Sequence, residues 1–228
     1  MSRIAGLFLI TFVMVLSGCA HQVELSKQEK FLAAAPRSIL IVPAVNNSVD
    51  VAAAEYVLST LSIPLGEHGY YVFPVNMVKR VLEDDGLADA SLVHSSPTSK
   101  LAALFGADSV LYVTVNQWNA KYMLLNTQVN VELDYRINDA KTDDILWSHH
   151  QNMIYNSNQG GGGGGGLGGL IAQLIVEAIH AAITKGVPNY LPLANQANTL
   201  ALLSYPGNGI PPGPYATEEK ELSPRTDK

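Results

Sequence analysis

Apolar residues along this chain fall into short unbroken runs, a few amphipathic stripes and one clean alternation. The run SILIVP at 38–43 is apolar after its first residue, the pattern of a strand buried on both faces. Residues 50–69, DVAAAEYVLSTLSIPLGEHG, change to a helical period. Ala53, Tyr56, Val57, Thr60 and Leu61 share one stripe there, and Pro64 is expected to break or kink the helix end. YYVFPV at 70–75 predicts a second buried strand. NMVKRVLEDDG predicts a second helix, capped by Asn76 and stopped at Gly86. A polar loop then leads to a third helix, with Ser96 as cap, Pro97 at the first helical position and Gly106 at the end.

Residues 109–118, SVLYVTVNQW, are apolar on both faces and predict a central strand. In QVNVELDYRI, Val129, Val131, Leu133 and Tyr135 face one way, and Asn130, Glu132, Asp134 and Arg136 face the other. NDAKTDD turns the chain, and residues 145–156 return as the hairpin partner. An apolar stretch at 167–183 predicts a last helix, and residues 194–205 a further short one. Strand, helix, strand, two helices, a three-strand meander and a helix make an α/β chain. The expectation is a single three-layer sandwich with a mixed sheet, an N-terminal βαβ part, an antiparallel meander and a C-terminal helix.

Before that last helix stand seven glycines, Gly160 to Gly166, then Leu167, Gly168 and Gly169. A Walker-type phosphate loop needs a lysine and a hydroxyl residue directly after it; here Leu170, Ile171 and Ala172 follow. A dinucleotide fingerprint belongs after the first strand of a βαβ unit, and this run follows the last strand of a meander. The glycines therefore read as a flexible spacer, not as a nucleotide site. In the helix, Gln173, Glu177 and His180 form one narrow polar stripe on a wide apolar surface. Leu170, Leu174, Glu177 and His180 are candidate contacts of that helix. It either packs on its own sheet, meets a partner or another copy, or enters a bilayer; the absence of Lys and Arg from its polar stripe disfavours the last.

The first residues bear on compartment. Arg3 precedes an apolar run at 4–16 that is too short to span a bilayer as a mature helix, and residues 1–18 are taken as a signal peptide. Leu16, Ser17, Gly18 and Cys19 resemble the bacterial lipobox, in which the cysteine sulfur is diacylglycerylated and the chain is cut just before it. Cys19 is the lone cysteine, so the chain forms no internal disulfide. Ala20 at the next position implies sorting to the outer membrane in such lipoproteins. Several acyl chains hold far more firmly than one, at roughly 0.8 kcal/mol per buried methylene. Residues 19–36 read as a lipidated tether, 37–204 as the α/β domain, and 205–228 as a mobile tail rich in proline, glycine and charge.

Composition narrows the chemistry. The net charge is −6 and only 15% of residues are charged, with no long basic run, which argues against a nucleic-acid footprint. His149 and His150 are adjacent on a predicted strand, so they point to opposite faces and cannot chelate one metal together. HExxH and GxSxG are absent from the sequence. Glu83 to Asp85 sit at a helix end, where carboxylates oppose the dipole, and read as a solvated face. Glu132, Asp134 and Arg136 read as a surface ion-pair row. The expectation is a protein with no enzymatic activity, no metal, no cofactor and no nucleotide.

Together, LSGC, PLGEHGYYVFPV at 64–75, LFGADSVLYVTV at 104–115, ILW at 145–147, the glycine-rich lead into an apolar helix and GPY at 213–215 resemble a family of bacterial outer-membrane lipoproteins. That family comes from Gram-negative envelopes, is of unknown function and has been screened for vaccine antigens. The resemblance implies a domain similar to the TolB amino-terminal domain and to curli-secretion lipoproteins. It carries over no catalytic residues. The expected role is a lipid-anchored, periplasm-facing interaction or assembly subunit of an envelope complex, with protein partners or further copies of itself. The alternative is a subunit of an oligomeric outer-membrane export channel of the curli-secretion type, although neither hairpin strand has an apolar face flanked by aromatic girdles.

Overall fold

The computed structural model describes residues 27–123, 126–156, 190–204 and 207–216. In chain order these form α1 (Lys27–Ala34), β1 (Ser38–Ile41), β2 (Val45–Asn46), α2 (Ala53–Glu67), β3 (Tyr71–Val72), α3 (Val75–Asp84), α4 (Ala90–Ser95) and α5 (Thr98–Phe105). Then come β4 (Ser109–Met123), β5 (Asn126–Asp139), β6 (Ile145–Asn156) and α6 (Leu191–Leu203). The strand order is β3–β1–β4–β5–β6, with β2 pairing β4 at Thr114 and Val115. β1 is parallel to β3 and β4, while β4, β5 and β6 form the antiparallel meander. The mixed sheet and the α/β class are as the pattern predicts.

Alternation along β1 and β4 feeds two cores, one on each face of the sheet. Ile39, Ile41, Leu111, Val113 and Val115 join Val131, Leu133 and Tyr135 of β5 beneath α2, α6 and Phe31 of α1. Leu40, Val42, Val110 and Tyr112 point the other way, onto Val78 and Leu82 of α3, Val93 of α4 and Leu101 of α5. Three layers follow from one buried strand pair whose successive side chains alternate between faces.

Several local expectations change. The predicted second buried strand shrinks to β3, an edge strand with Tyr71 54% exposed. Pro74, extended at φ −60°, precedes the first residue of α3 and takes the capping position expected of Asn76. α2 runs through Pro64 to Glu67, so the proline removes one amide donor from the last turns without ending the helix, and it is buried there. The third helix begins at Thr98 after Pro97, one residue later than expected. The polar loop before it contains α4, whose Asp89 cap accepts from Ser91 N (2.8 Å) and Leu92 N (3.1 Å) while Val93 is buried. A bulge between Val115 and Gln117 interrupts β4. The region expected to be tether contains α1, anchored by the buried Phe31, which meets the Tyr70 ring edge-on at 6.3 Å.

The largest departure concerns the expected mobile tail, because residues 207–216 pack as a strap across one end of the molecule. Tyr70 donates its hydroxyl to Pro211 O (2.6 Å), and His68 Nε2 lies 2.9 Å from Ile210 O. Trp147 donates Nε1–H to Asn208 O (2.7 Å). Gly213 N and Tyr215 N donate to His68 O and Gly69 O at 2.8 and 3.0 Å. Composition misses this because the strap is held by hydrogen bonds to its main chain and by two buried side chains, Ile210 and Pro211, not by a run of hydrophobic residues.

Candidate functional site

The residues expected to carry function lie outside the described part of the chain. These are Leu16, Ser17, Gly18 and Cys19, and Leu170, Leu174, Glu177 and His180; the glycine run lies there too. Three places in the described residues gather polar side chains or open space, and each can be judged on geometry.

On the outer face of the meander, the register sets Asp134 of β5 beside His150 of β6. His150 Nδ1 lies 2.7 Å from Asp134 Oδ1 and its Nε2 lies 3.7 Å from Glu132 Oε1. Asn116, the residue at the bulge, donates Nδ2–H to Asp134 Oδ2 (2.6 Å). Partial burial opposes ionisation of Asp134, but the bonds from His150 and Asn116 outweigh it and hold the carboxyl below the usual carboxylate range. The expected row is thus tied by His150. Arg136 instead lies over the Tyr112 ring, 4.7 Å from its centroid. His149 points to the opposite face and stacks on Trp147 at 5.9 Å, so the two histidines separate as their adjacency requires.

A second group lies between α5 and the β5–β6 turn, with Thr98, Tyr112 and Asn138 buried and Asp143 exposed. Thr98 Oγ1 lies 3.0 Å from the Tyr112 hydroxyl and bonds Asp143, and Asn138 Nδ2 donates to Asp143 Oδ1 at 3.1 Å. The bonds from Thr98 and Asn138 draw the Asp143 carboxyl below its ordinary range. His94 closes the other side, its ring edge-on to Tyr112 at 5.1 Å and its Nε2 3.0 Å from Pro43 O. Burial lowers the His94 pKa below its ordinary value. Each of these groups joins one element to another, and none faces a cleft with a second reactive group beside it.

The third place is a cleft of about 150 Å³ at the carboxyl ends of β1 and β3, floored by Pro43, Ala44 and Leu58 and bordered by the Lys79–Glu55 ion pair (3.1 Å). Ligands of open α/β sheets sit where strand order reverses, here between β1 and β4. In this chain β2 lies against β4 there, so the crevice is filled by the protein's own strand. Val49 and Val51, in the loop that follows β2, stand 85% and 90% exposed. Among the described residues no cluster of three His, Cys, Asp or Glu side chains is placed to hold a metal. Nor is any described helix long and apolar enough to cross a membrane.

At the opposite end two glycines meet. Gly69 has φ +90°, and a Cβ there would stand 2.1 Å from Ala216 N. A Cβ on Gly213 would stand 2.2 Å from Gly69 O. These two positions lie in the GEHGYYVFPV and GPY segments, so the signal is present in the sequence as paired glycines beside tyrosines. Only the crossing of the strap over β3 gives it meaning.

Comparison with known proteins agrees with this frame. Residues 27–215 match the family model described as Putative lipoprotein GNA1162-like. A curated relative, putative lipoprotein NMB1124/NMB1162 of Neisseria meningitidis serogroup B, is 32% identical over 211 residues, covering 91% of this chain and 94% of the relative. The crystal structure of lipoprotein GNA1162 from Neisseria meningitidis is also 32% identical, with a TM-score of 0.53 over 66% of this chain and 99% of that one. The LpoB C-terminal domain from Escherichia coli aligns at 20% identity and a TM-score of 0.38, over 54% of this chain and 90% of that one. On a family match spanning most of its length and a relative aligned nearly end to end, the chain belongs to the GNA1162-like lipoprotein family.

Proposed function

We propose that the protein is an outer-membrane lipoprotein, anchored through acyl chains on Cys19 and facing the periplasm, and that it serves as a non-enzymatic interaction or assembly subunit of an envelope complex. The observation that carries this reading is the tetrapeptide ending at Cys19, placed ahead of a domain that belongs to a lipoprotein family. The lone cysteine fits the same reading, because a lipidated sulfur is withdrawn from redox and nucleophilic chemistry. The polar side chains of Asp134, Asp143, His94 and His68 each hold one element to another, which is a structural use.

Intact-mass spectrometry of protein from its native host tests the anchor. The expected mass is that of a chain beginning at Cys19 with acyl groups attached, and a bare Cys19 sulfur overturns the reading. Chemical crosslinking in intact envelopes tests the subunit role. The expected result is a set of discrete higher-mass species, and recovery of monomer alone at every crosslinker length overturns it.

A further inference from the structure

The two ends of this fold differ, and only one of them receives the chain from Cys19. Gln28, in the first turn of α1, donates Nε2–H to Gly207 O (3.4 Å), and Phe31 packs on Tyr70 at the start of β3. α1 therefore lies across the end where the parallel strands begin, beside the strap of residues 207–216. The β5–β6 turn is at that same end, since Trp147 pairs with Ile137 and Asn138 with Ile145. At the other end β4 and β5 run on beyond β1 and β2, with pairing from Val115 and Leu133 out to Met123 and Asn126. Eight residue steps beyond Val115 make a ribbon of about 26 Å at the usual strand rise.

We propose that the domain stands on its lipid leaflet by the α1-and-strap end, so that the β4–β5 ribbon and the exposed Val49–Val51 loop point away from the bilayer. This rests on lipidation of Cys19. Seven residues separate Cys19 from Lys27, a span of at most about 28 Å when fully extended. A freely coiled tether is shorter still, and α1 is fixed to the domain by its buried phenylalanine. The partner surface that such an anchor offers to the envelope is then the ribbon end, whereas the strap end meets lipid headgroups.

The lipidated chain makes a clean test, because acylation of Cys19 leaves any engineered cysteine as the only free thiol. Single cysteines at Lys141→Cys, in the β5–β6 turn, and Ile154→Cys, at the ribbon end of β6, lie about 30 Å apart along the strand. Both positions are exposed, and Glu67→Cys and Asn152→Cys give a second exposed pair for the same two ends. The full lipidated protein, labelled with a fluorophore, is placed in phosphatidylethanolamine–phosphatidylglycerol vesicles carrying a nitroxide quencher on the headgroup. The expected result is quenching at positions 141 and 67 at least about twofold that at 154 and 152. Equal quenching, or the reverse order, with acyl chains confirmed by mass, overturns the orientation alone. A chain whose Cys19 is bare by mass, with no quenching at any position, overturns the anchor and the orientation with it.

Discussion

Asn198 is fully buried and yet makes three hydrogen bonds. Its Oδ1 accepts from the Tyr135 hydroxyl (2.7 Å), and its Nδ2 donates to Val57 O and Thr60 Oγ1, both at 2.9 Å. One carboxamide thus joins α6, α2 and β5. Burial drives the Tyr135 pKa well above the phenol range, so it stays a neutral donor at all ordinary pH. Asn198→Ala leaves these partners buried and unpaired, and the expected loss is about 2–3 kcal/mol in urea unfolding. Ionisable groups set the pH response in two windows. His94 is held neutral by burial, so the unfolded chain takes up its proton first, and stability falls as pH drops below about 6.5. Asp134 is held ionised by its partners, so its contribution is present above about pH 3.9 and is lost as pH falls through its lower folded value. His94→Gln keeps a donor for Pro43 O without a titrating ring. Urea midpoints measured from pH 7.5 to 3 are expected to be flatter for this variant than for wild type between pH 6.5 and 5, with both falling below pH 4.

The strap is the element whose removal should be felt furthest from its own position. Gly69→Ala puts a Cβ against the Ala216 backbone at a positive φ, and Gly213→Ala puts one against Gly69 O. Neither backbone can retreat like a flexible side chain, so each variant is expected to lose about 2 kcal/mol or more. Because Trp147 donates to Asn208 O, a displaced strap also exposes an indole. A red shift of native tryptophan emission in Gly213→Ala, with β-sheet circular dichroism retained, is the expected signature, and unchanged emission counts against the strap's role. Legibility in the sequence divides along the same physical line. Elements stabilised by apolar burial announce themselves: β1, α2, β4 and β5 follow from runs, stripes and alternation that survive in the fold. Elements held by main-chain or side-chain hydrogen bonds do not. α4 depends on Asp89 capping two amides, β2 on pairing two residues with β4, and the strap on six bonds to distant partners. Periodicity is silent about all three. The proposed anchor rests on a local motif that needs no tertiary context, whereas the glycine crossing is a contact between positions 144 apart and becomes visible only in the fold.

At the scale of the whole molecule, the question is whether two cores on opposite faces of one sheet behave as one. Both tryptophans belong to the same side: Trp118 packs with Tyr56 and Tyr190 beneath α2 and α6, and Trp147 lies under the strap. The other core, closed by α3, α4 and α5, contains none. The cores nevertheless share their scaffold, because Ile39 and Leu40 are neighbours on β1 and point to opposite sides, as do Val110 and Leu111 on β4. A strand cannot keep one set of side chains in place while losing the other. Leu61→Ala on the tryptophan side and Leu82→Ala on the far side each empty a fully buried position, at an expected cost of about 2–4 kcal/mol. If β1 and β4 couple the faces, Leu82→Ala shifts the tryptophan-detected transition by the same amount as the transition seen by far-ultraviolet circular dichroism, with one midpoint for both probes. A variant whose helical signal melts early while tryptophan emission keeps its wild-type midpoint would mean that α3 to α5 open independently. Coincident midpoints are the expected result, since the strand pair at the centre of the sheet has no face to spare.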